Sequence, residues 1–367
     1  MSEMKMTLRW FGSESDSVTL ARIRQIPGIT GVMGFLDYKA AGEVWTVDEI
    51  GAYIGEVRKH GLSCEVIESV NVHEDIKTGS GNRDLYIDNY IKTIRNLASF
   101  GVKVIIYNFM PVIDWLRTDL NRMIPEDGSF SMFYDHKDLE GLGPLDLAQK
   151  TSSQSRGFSL PGWEPGRMND LKRILDRYKD IDEDKLLSNY KYFLDGIMPV
   201  CEETGIKMAC HPDDPAWKLF GLPRLAHDFV GLKTIVGLND SPYNTLCICT
   251  GSLASNPDND VIEITRYFGK AGRIGAMHIR NIKHLGYRCF RESSHRDGDL
   301  DMFEIVKAVH DCCPDVHIRP DHGRMIWDEQ ARPGYGLYDR ALGASYLLGL
   351  WEAVDRLSDK ATPYSRQ

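Results

Sequence analysis

Eight short, apolar, β-rich runs recur along the chain, at 7–12 (TLRWFG), 28–36 (GITGVMGFL), 62–69 (LSCEVIES), 102–109 (VKVIIYNF), 206–212 (IKMACHP), 245–252 (TLCICTGS), 273–281 (RIGAMHIRN) and 316–323 (VHIRPDHG). Longer amphipathic segments separate them. Strands joined through helices lie parallel, because a crossover of that length returns the chain in its original direction. Eight such units close a (β/α)8 barrel, so the pattern predicts an α/β fold of the TIM barrel class. With 367 residues, 42% of them hydrophobic, the chain can build this barrel as one domain over 1–367 and still carry insertions.

The intervening segments carry helix punctuation. Thr46 and Glu49 have the spacing of a capping box, Ile50, Tyr53, Ile54 and Val57 follow at helical intervals, and Gly61 ends the segment. Helices are also expected near 84–100 and 185–204. In the second, Leu187, Tyr190, Leu194 and Ile197 make an apolar stripe that packs on the barrel wall. Two connections break the rhythm. Residues 110–180 form a polar insertion containing Gly and Pro, far longer than an ordinary connection. It follows the C-terminal end of a strand, so a cap over the barrel mouth is expected. A second long loop, 282–299 (IKHLGYRCFRESSHRDGD), opens on the same face.

Four residues with metal-ligating side chains, His211, Cys249, His278 and Asp321, each fall at the C-terminal end of a different run. A parallel barrel gathers its chemistry at that end. A lone buried Cys is usually structural, but two imidazoles, a thiolate and a carboxylate at four strand ends can hold a divalent first-row cation and leave positions open. The thiolate argues against magnesium and admits zinc, iron(II), cobalt or manganese. Alternation along a strand puts Thr245, Cys247 and Cys249 on one face, with only Cys249 near the mouth, so Cys247 is expected to fill the barrel.

The densest motif is PDHGRMIWDEQARPGYG at 320–336. His322 follows Asp321 directly and lies within reach of whatever a metal there would hold, as an acid–base group, and Tyr335, expected to be exposed in its Pro-Gly-Tyr-Gly turn, offers a second group for proton transfer. Packing is the plainer role for Tyr335. Arg280, Asn281 and Arg324 are the candidates to hold a carboxylate and hydroxyls, with surface salt bridging as the plainer alternative.

The net charge of −9 gives no footprint for nucleic acid or an anionic membrane. A small-molecule partner is expected instead. The start, MSEMKMTLRW, has no charged segment leading into an apolar core, and the eight cysteines include no CxxC pair. A cytoplasmic protein without disulfides is expected, and a homodimer is the default among oligomers.

The segments RWFG, GEVW, VIESVNVHEDIK, YNFMPV, KMACHPDDP, FGLPR, CTGSLASNPDND, HIRN, RPDHGR and PGYGLYDRALG, in this order over nearly the whole chain, resemble the mannonate dehydratase family of hexuronate degradation. The resemblance implies a barrel like that of xylose isomerases and loss of water from D-mannonate to give 2-dehydro-3-deoxy-D-gluconate, with Mn2+ or Fe2+. It implies His211, Cys249, His278 and Asp321 as metal ligands and His322 and Tyr335 as the acid–base pair, their roles left open. Three alternatives compete. A sugar isomerase or epimerase of the same barrel superfamily would ordinarily use several carboxylate ligands and no Cys. A phosphodiesterase would need a basic groove. A non-catalytic sugar-acid-binding protein would have no use for a thiolate beside His and Tyr.

Overall fold

The computed structural model describes residues 3–158 and 170–360; residues 159–169, part of the long insertion, lie outside the described residues. In chain order the strands are β1 (Lys5–Arg9), β2 (Ile29–Gly34), β3 (Ser63–Glu68), β4 (Val104–Tyr107), β5 (Asp119–Met123), β6 (Phe130–Asp135), β7 (Lys207–Cys210), β8 (Asn244–Cys249), β9 (Ile274–Ile279), β10 (Asn281–Gly286), β11 (Cys289–Ser293) and β12 (His317–Pro320). All eight expected runs are barrel strands. They close in the order β1, β12, β9, β8, β7, β4, β3, β2, with every neighbouring pair parallel.

Alternation along these strands divides the core in two. Met33, Val66, Val104, Ile106, Ala209, Cys247 and Ala276 form a small apolar cluster of their own, which is the filling of the barrel. Cys247 is in it, as parity requires. A much larger cluster lies between the strands and the surrounding helices. Side chains two residues further along a strand keep the same face, so the layer above the filling reads Phe35, Glu68, Asn108, His211, Cys249 and His278. The switch from apolar to polar along all of these strands but β2, which keeps Phe35, is what turns a packed barrel into a site.

The helices follow their punctuation. Helix Val47–Lys59 starts at Thr46, whose hydroxyl accepts from Glu49 N while the Glu49 carboxylate accepts from Thr46 N, and it buries Ile50, Tyr53, Ile54 and Val57. Such a cap contributes about 1 kcal/mol. Helix Glu183–Thr204 buries Tyr190, Leu194 and Ile197, but the stripe begins at Leu186 and not at Leu187, which is only half-buried.

The two long connections are more ordered than the sequence suggests. The hairpin of β10 and β11 occupies the loop at 282–299, and β5 and β6 come from the insertion. Together they form a four-stranded sheet, in the order β10, β11, β6, β5, with each pair antiparallel. Short polar strands carry little signal of their own, and β6 meets β11 across more than a third of the chain.

Candidate active site

His211, Cys249 and His278 come from adjacent strand ends, and one ligand atom from each lies within 4.8 Å of the others. Cys249 is the last residue of β8, and His278 sits opposite it on β9. His211 Nδ1 is 2.8 Å from the Pro212 carbonyl oxygen. A carbonyl only accepts, so Nδ1 carries the hydrogen and the Nε2 lone pair is left for a cation. Ser252 Oγ donates to the Cys249 sulfur at 3.0 Å, which orients it. Burial pushes the His211 pKa down, toward the neutral form that binds metal.

Asp321 lies beside this trio, with Oδ2 3.4 Å from Cys249 Sγ and 4.0 Å from His278 Nδ1. Its oxygens also meet Arg319 at 2.5 Å and Arg280 at 2.9 Å. Burial alone would raise its pKa, but the charges of Arg319, His322, His278 and Arg280 outweigh that and hold the carboxyl well below its usual range. Among these buried groups, Asp321 Oδ1 and His278 Nε2 have close neighbours but no hydrogen bond of acceptable geometry. Polar atoms left unmatched in a dry interior are costly. A cation drawn in by two imidazoles, a thiolate and an ionised carboxylate would match them, so the residues fit the metal expected from the sequence.

The cavity over this cluster is lined by His211, Asp321, His322 and Tyr335, and also by Arg9, Glu68, Asn108, Asp114, Trp115, Asp214 and Arg319. His322 Nε2 and Tyr335 Oη are 3.1 Å apart. Tyr335 is not the exposed phenol expected from its glycine-flanked turn: it is 4% exposed. The turn is held from beneath, because buried Arg340 donates to the carbonyls of both Tyr335 and Gly336. Gly334 is at φ +79°, a backbone conformation that L side chains rarely adopt, and a Cβ there would press on the end of the Met132 side chain at 2.5 Å. Burial raises the Tyr335 pKa above its ordinary value.

Behind His322 is a buried charge network. Arg117, from the insertion, pairs with Asp214 at 2.7 Å and Glu292 at 2.6 Å. Arg280 pairs with the same two carboxylates, at 2.7 and 2.6 Å. His322 Nδ1 is 3.2 Å from Glu292 Oε1. Glu292, on β11, is held down at a pKa of about 2: burial works to raise it, and Arg280, Arg117 and His322 outweigh burial. Gly251 makes this possible, because a Cβ there would lie 2.8 Å from the Arg280 side chain.

Arg280, Asn281 and Arg324, expected to hold the substrate, are not among the residues lining this cavity. The Arg280 guanidinium is fully buried and turned to Glu292, Asp214 and Ser252. Asn281 is engaged with the backbone of its own connection, donating to the His295 and Leu300 carbonyls. Arg324 pairs with Asp339 at 2.9 Å and Asp127 at 2.7 Å. Each was singled out for its charge or polarity near a strand end. Arg280 and Arg324 also find partners in segments remote in sequence, Asp214 and Asp127, which only the fold brings together.

A family model described as D-mannonate dehydratase (UxuA) matches residues 4–361. The chain belongs to the mannonate dehydratase family. Mannonate dehydratase of Lachnoclostridium phytofermentans is 62% identical over 357 residues, 97% of this chain and 100% of that one. The crystal structure of mannonate dehydratase from Streptococcus suis serotype 2 matches with a TM-score of 0.87 and 42% identity, covering 97% of this chain and 96% of that one. A D-tagatose 3-epimerase-like protein matches at a TM-score of 0.55 and 13% identity over 97% of this chain and 100% of that one, a likeness of fold alone. As a mannonate dehydratase family member, the chain is an enzyme of the hydro-lyase class acting on a small molecule. Among the described residues, no helix is long and apolar enough to cross a membrane.

Around this candidate site stand further residues that were not singled out in the sequence. Arg9 and Glu68 end β1 and β3 on the inward face, where the parity argument applied to Cys249 would have found them. Arg319, two residues before Asp321 and so on the same face of β12, bridges Asp321 to Glu68. Glu292 and Arg117 had no signal in periodicity or spacing.

Proposed function

We propose that the chain removes water from D-mannonate to give 2-dehydro-3-deoxy-D-gluconate, with Mn2+ or Fe2+ held by His211, Cys249, His278 and Asp321. A divalent cation there supplies positive charge against the negative charge that develops beside the substrate carboxylate when C2 loses its proton. The single observation that carries the reading is the buried His322–Tyr335 pair in one cavity with ligand atoms from that set.

The roles within the pair follow from hydrogen-bond logic. An ionised Glu292 only accepts, so His322 Nδ1 bears the hydrogen in that contact, and the Nε2 lone pair faces the phenol. His322 Nε2 is the base that takes the C2 proton. Tyr335, kept protonated by burial, is the acid that protonates the departing C3 hydroxyl. The C2–H bond and the C3–O bond break, a C2–C3 double bond forms, one water leaves, and the enol becomes the 2-keto acid. Trp115, on the cavity wall with its ring centroid 6.0 Å from that of His322, helps keep bulk water from the pair. The insertion at 110–180 thus serves as a cap on a single barrel domain. Eight free thiols suit a reducing, cytoplasmic setting, and a homodimer is the assembly we expect.

The test is to strip the protein with a chelator, restore manganese or iron(II), supply D-mannonate and assay for a 2-keto-3-deoxy acid. Metal-dependent product is expected. Its absence with every metal would overturn the reading, and an isomeric sugar acid formed without loss of water would replace it with an isomerase or epimerase.

A further inference from the structure

We propose that Arg9 is the anchor for the substrate carboxylate, an inference that rests on the dehydratase reading of the site. Arg9 ends β1 on the inward face and lines the cavity that also holds His322 and Tyr335. Its side chain is buried, with the whole residue 2% exposed. The Nη1 atom makes a close ion pair with Glu68. Nε and Nη2 are buried without any hydrogen-bond partner. These two nitrogens share one edge of the guanidinium, the edge that takes a carboxylate through two parallel bonds. Phe11 and Phe35 lie 4.7 and 5.3 Å from its Cζ. Such aromatic contacts hold the group in place and supply no oxygen to accept from that edge.

The competing cations of the site are already committed. Arg319 gives Nε and Nη2 to Glu68 and meets Asp321 through Nη1. Arg117 and Arg280 are shared between Asp214 and Glu292. Arg9 is the cavity-lining arginine with a complete bidentate edge to offer. An aldonate brings one group that matches two parallel donors, its C1 carboxylate. Seating that group on Arg9 fixes which end of the open-chain sugar acid enters first, so Arg9 sets the selection for acids over neutral polyols and amides.

The test uses metal-loaded protein carrying Tyr335→Phe to stop turnover, with calorimetric titration of D-mannonate and of its neutral amide. Adding Arg9→Met should weaken D-mannonate binding about 10²- to 10³-fold, the usual cost of removing one partner of a buried charged pair. Binding of the amide should change little. Arg9→Lys keeps the charge without the paired edge and should fall between the two; as the gentler change, it also serves if Arg9→Met does not fold. In otherwise unmutated enzyme, Arg9→Lys should raise KM more than it lowers kcat. Equal loss for acid and amide, or unchanged D-mannonate binding, would overturn the assignment. Product formation by the unmutated enzyme judges the dehydratase reading separately: if it makes the 2-keto-3-deoxy acid while the Arg9 variants fail to discriminate, only this inference falls.

Discussion

The two sides of the site are built by different means. On one side, His211, Cys249 and His278 stand on consecutive barrel strands, each two residues above an apolar residue that fills the barrel. Their spacing is set by the 4.7–4.9 Å approach of neighbouring strands that any parallel sheet has. On the other side, His322 and Tyr335 sit after the last strand, and their support comes from Glu292 on the added sheet, Trp115 and Arg117 in the insertion and Arg340 in the final helix. The first side is precise because the barrel is regular. The second is held by pairings between segments remote in sequence. Metal binding should therefore answer mainly to the barrel, and proton transfer to the additions.

The largest effect expected is on the second side. His322→Asn should keep the metal and lower kcat by about 10²- to 10⁴-fold, the usual worth of a positioned base; metal content by atomic emission and turnover of D-mannonate check the two halves. If metal is lost along with activity, the two sides are not separable. Next is the first side. Cys249→Ser should lose metal under dialysis, whereas Cys247→Ser should keep it and show only a lower melting temperature, because Cys247 fills the barrel. Equal metal loss in both would break the parity argument.

A pH experiment probes the additions. Glu292 is held at a pKa of about 2, against an ordinary value of 4.5. A carboxyl whose folded pKa is depressed contributes stability that is fully present above pH 4.5 and lost as pH falls from there toward 2. At about 1.4 kcal/mol per decade, Glu292 contributes roughly 3 kcal/mol in that window. Denaturant titrations between pH 6 and pH 2 should show this slope, and Glu292→Gln should flatten it. The smallest effect is the reference far from both sides: Thr46→Ala should cost about 1 kcal/mol in denaturant melts without altering metal content or kcat.

This contrast also separates what was legible in the sequence from what was not. The eight strands and the capping box at Thr46 could be read because each depends on local alternation or spacing, and the same strand-end logic singled out the three residues that meet in the candidate metal cluster. The His322–Tyr335 pair was legible through its motif, but the burial of Tyr335 was not, since a glycine-flanked turn looks mobile until Arg340 is seen beneath it. Arg280 was expected to hold a substrate carboxylate or hydroxyl and instead pairs with Glu292 and Asp214, which reach it from outside its own strand. The added sheet left no periodic trace, as its strands are short and half polar.

The barrel closes where β1 meets β12, and Thr7 Oγ1 reaches the Ile318 carbonyl across 311 residues. Arg9 and Tyr335, which line one cavity, are supplied by the first and last parts of the chain, and Arg340 donates to carbonyls in both. During synthesis, the open edge of the first strand waits for almost the entire polypeptide to emerge. A chain stopped before β12 could neither close the barrel nor bring Tyr335 and Arg340 to Arg9.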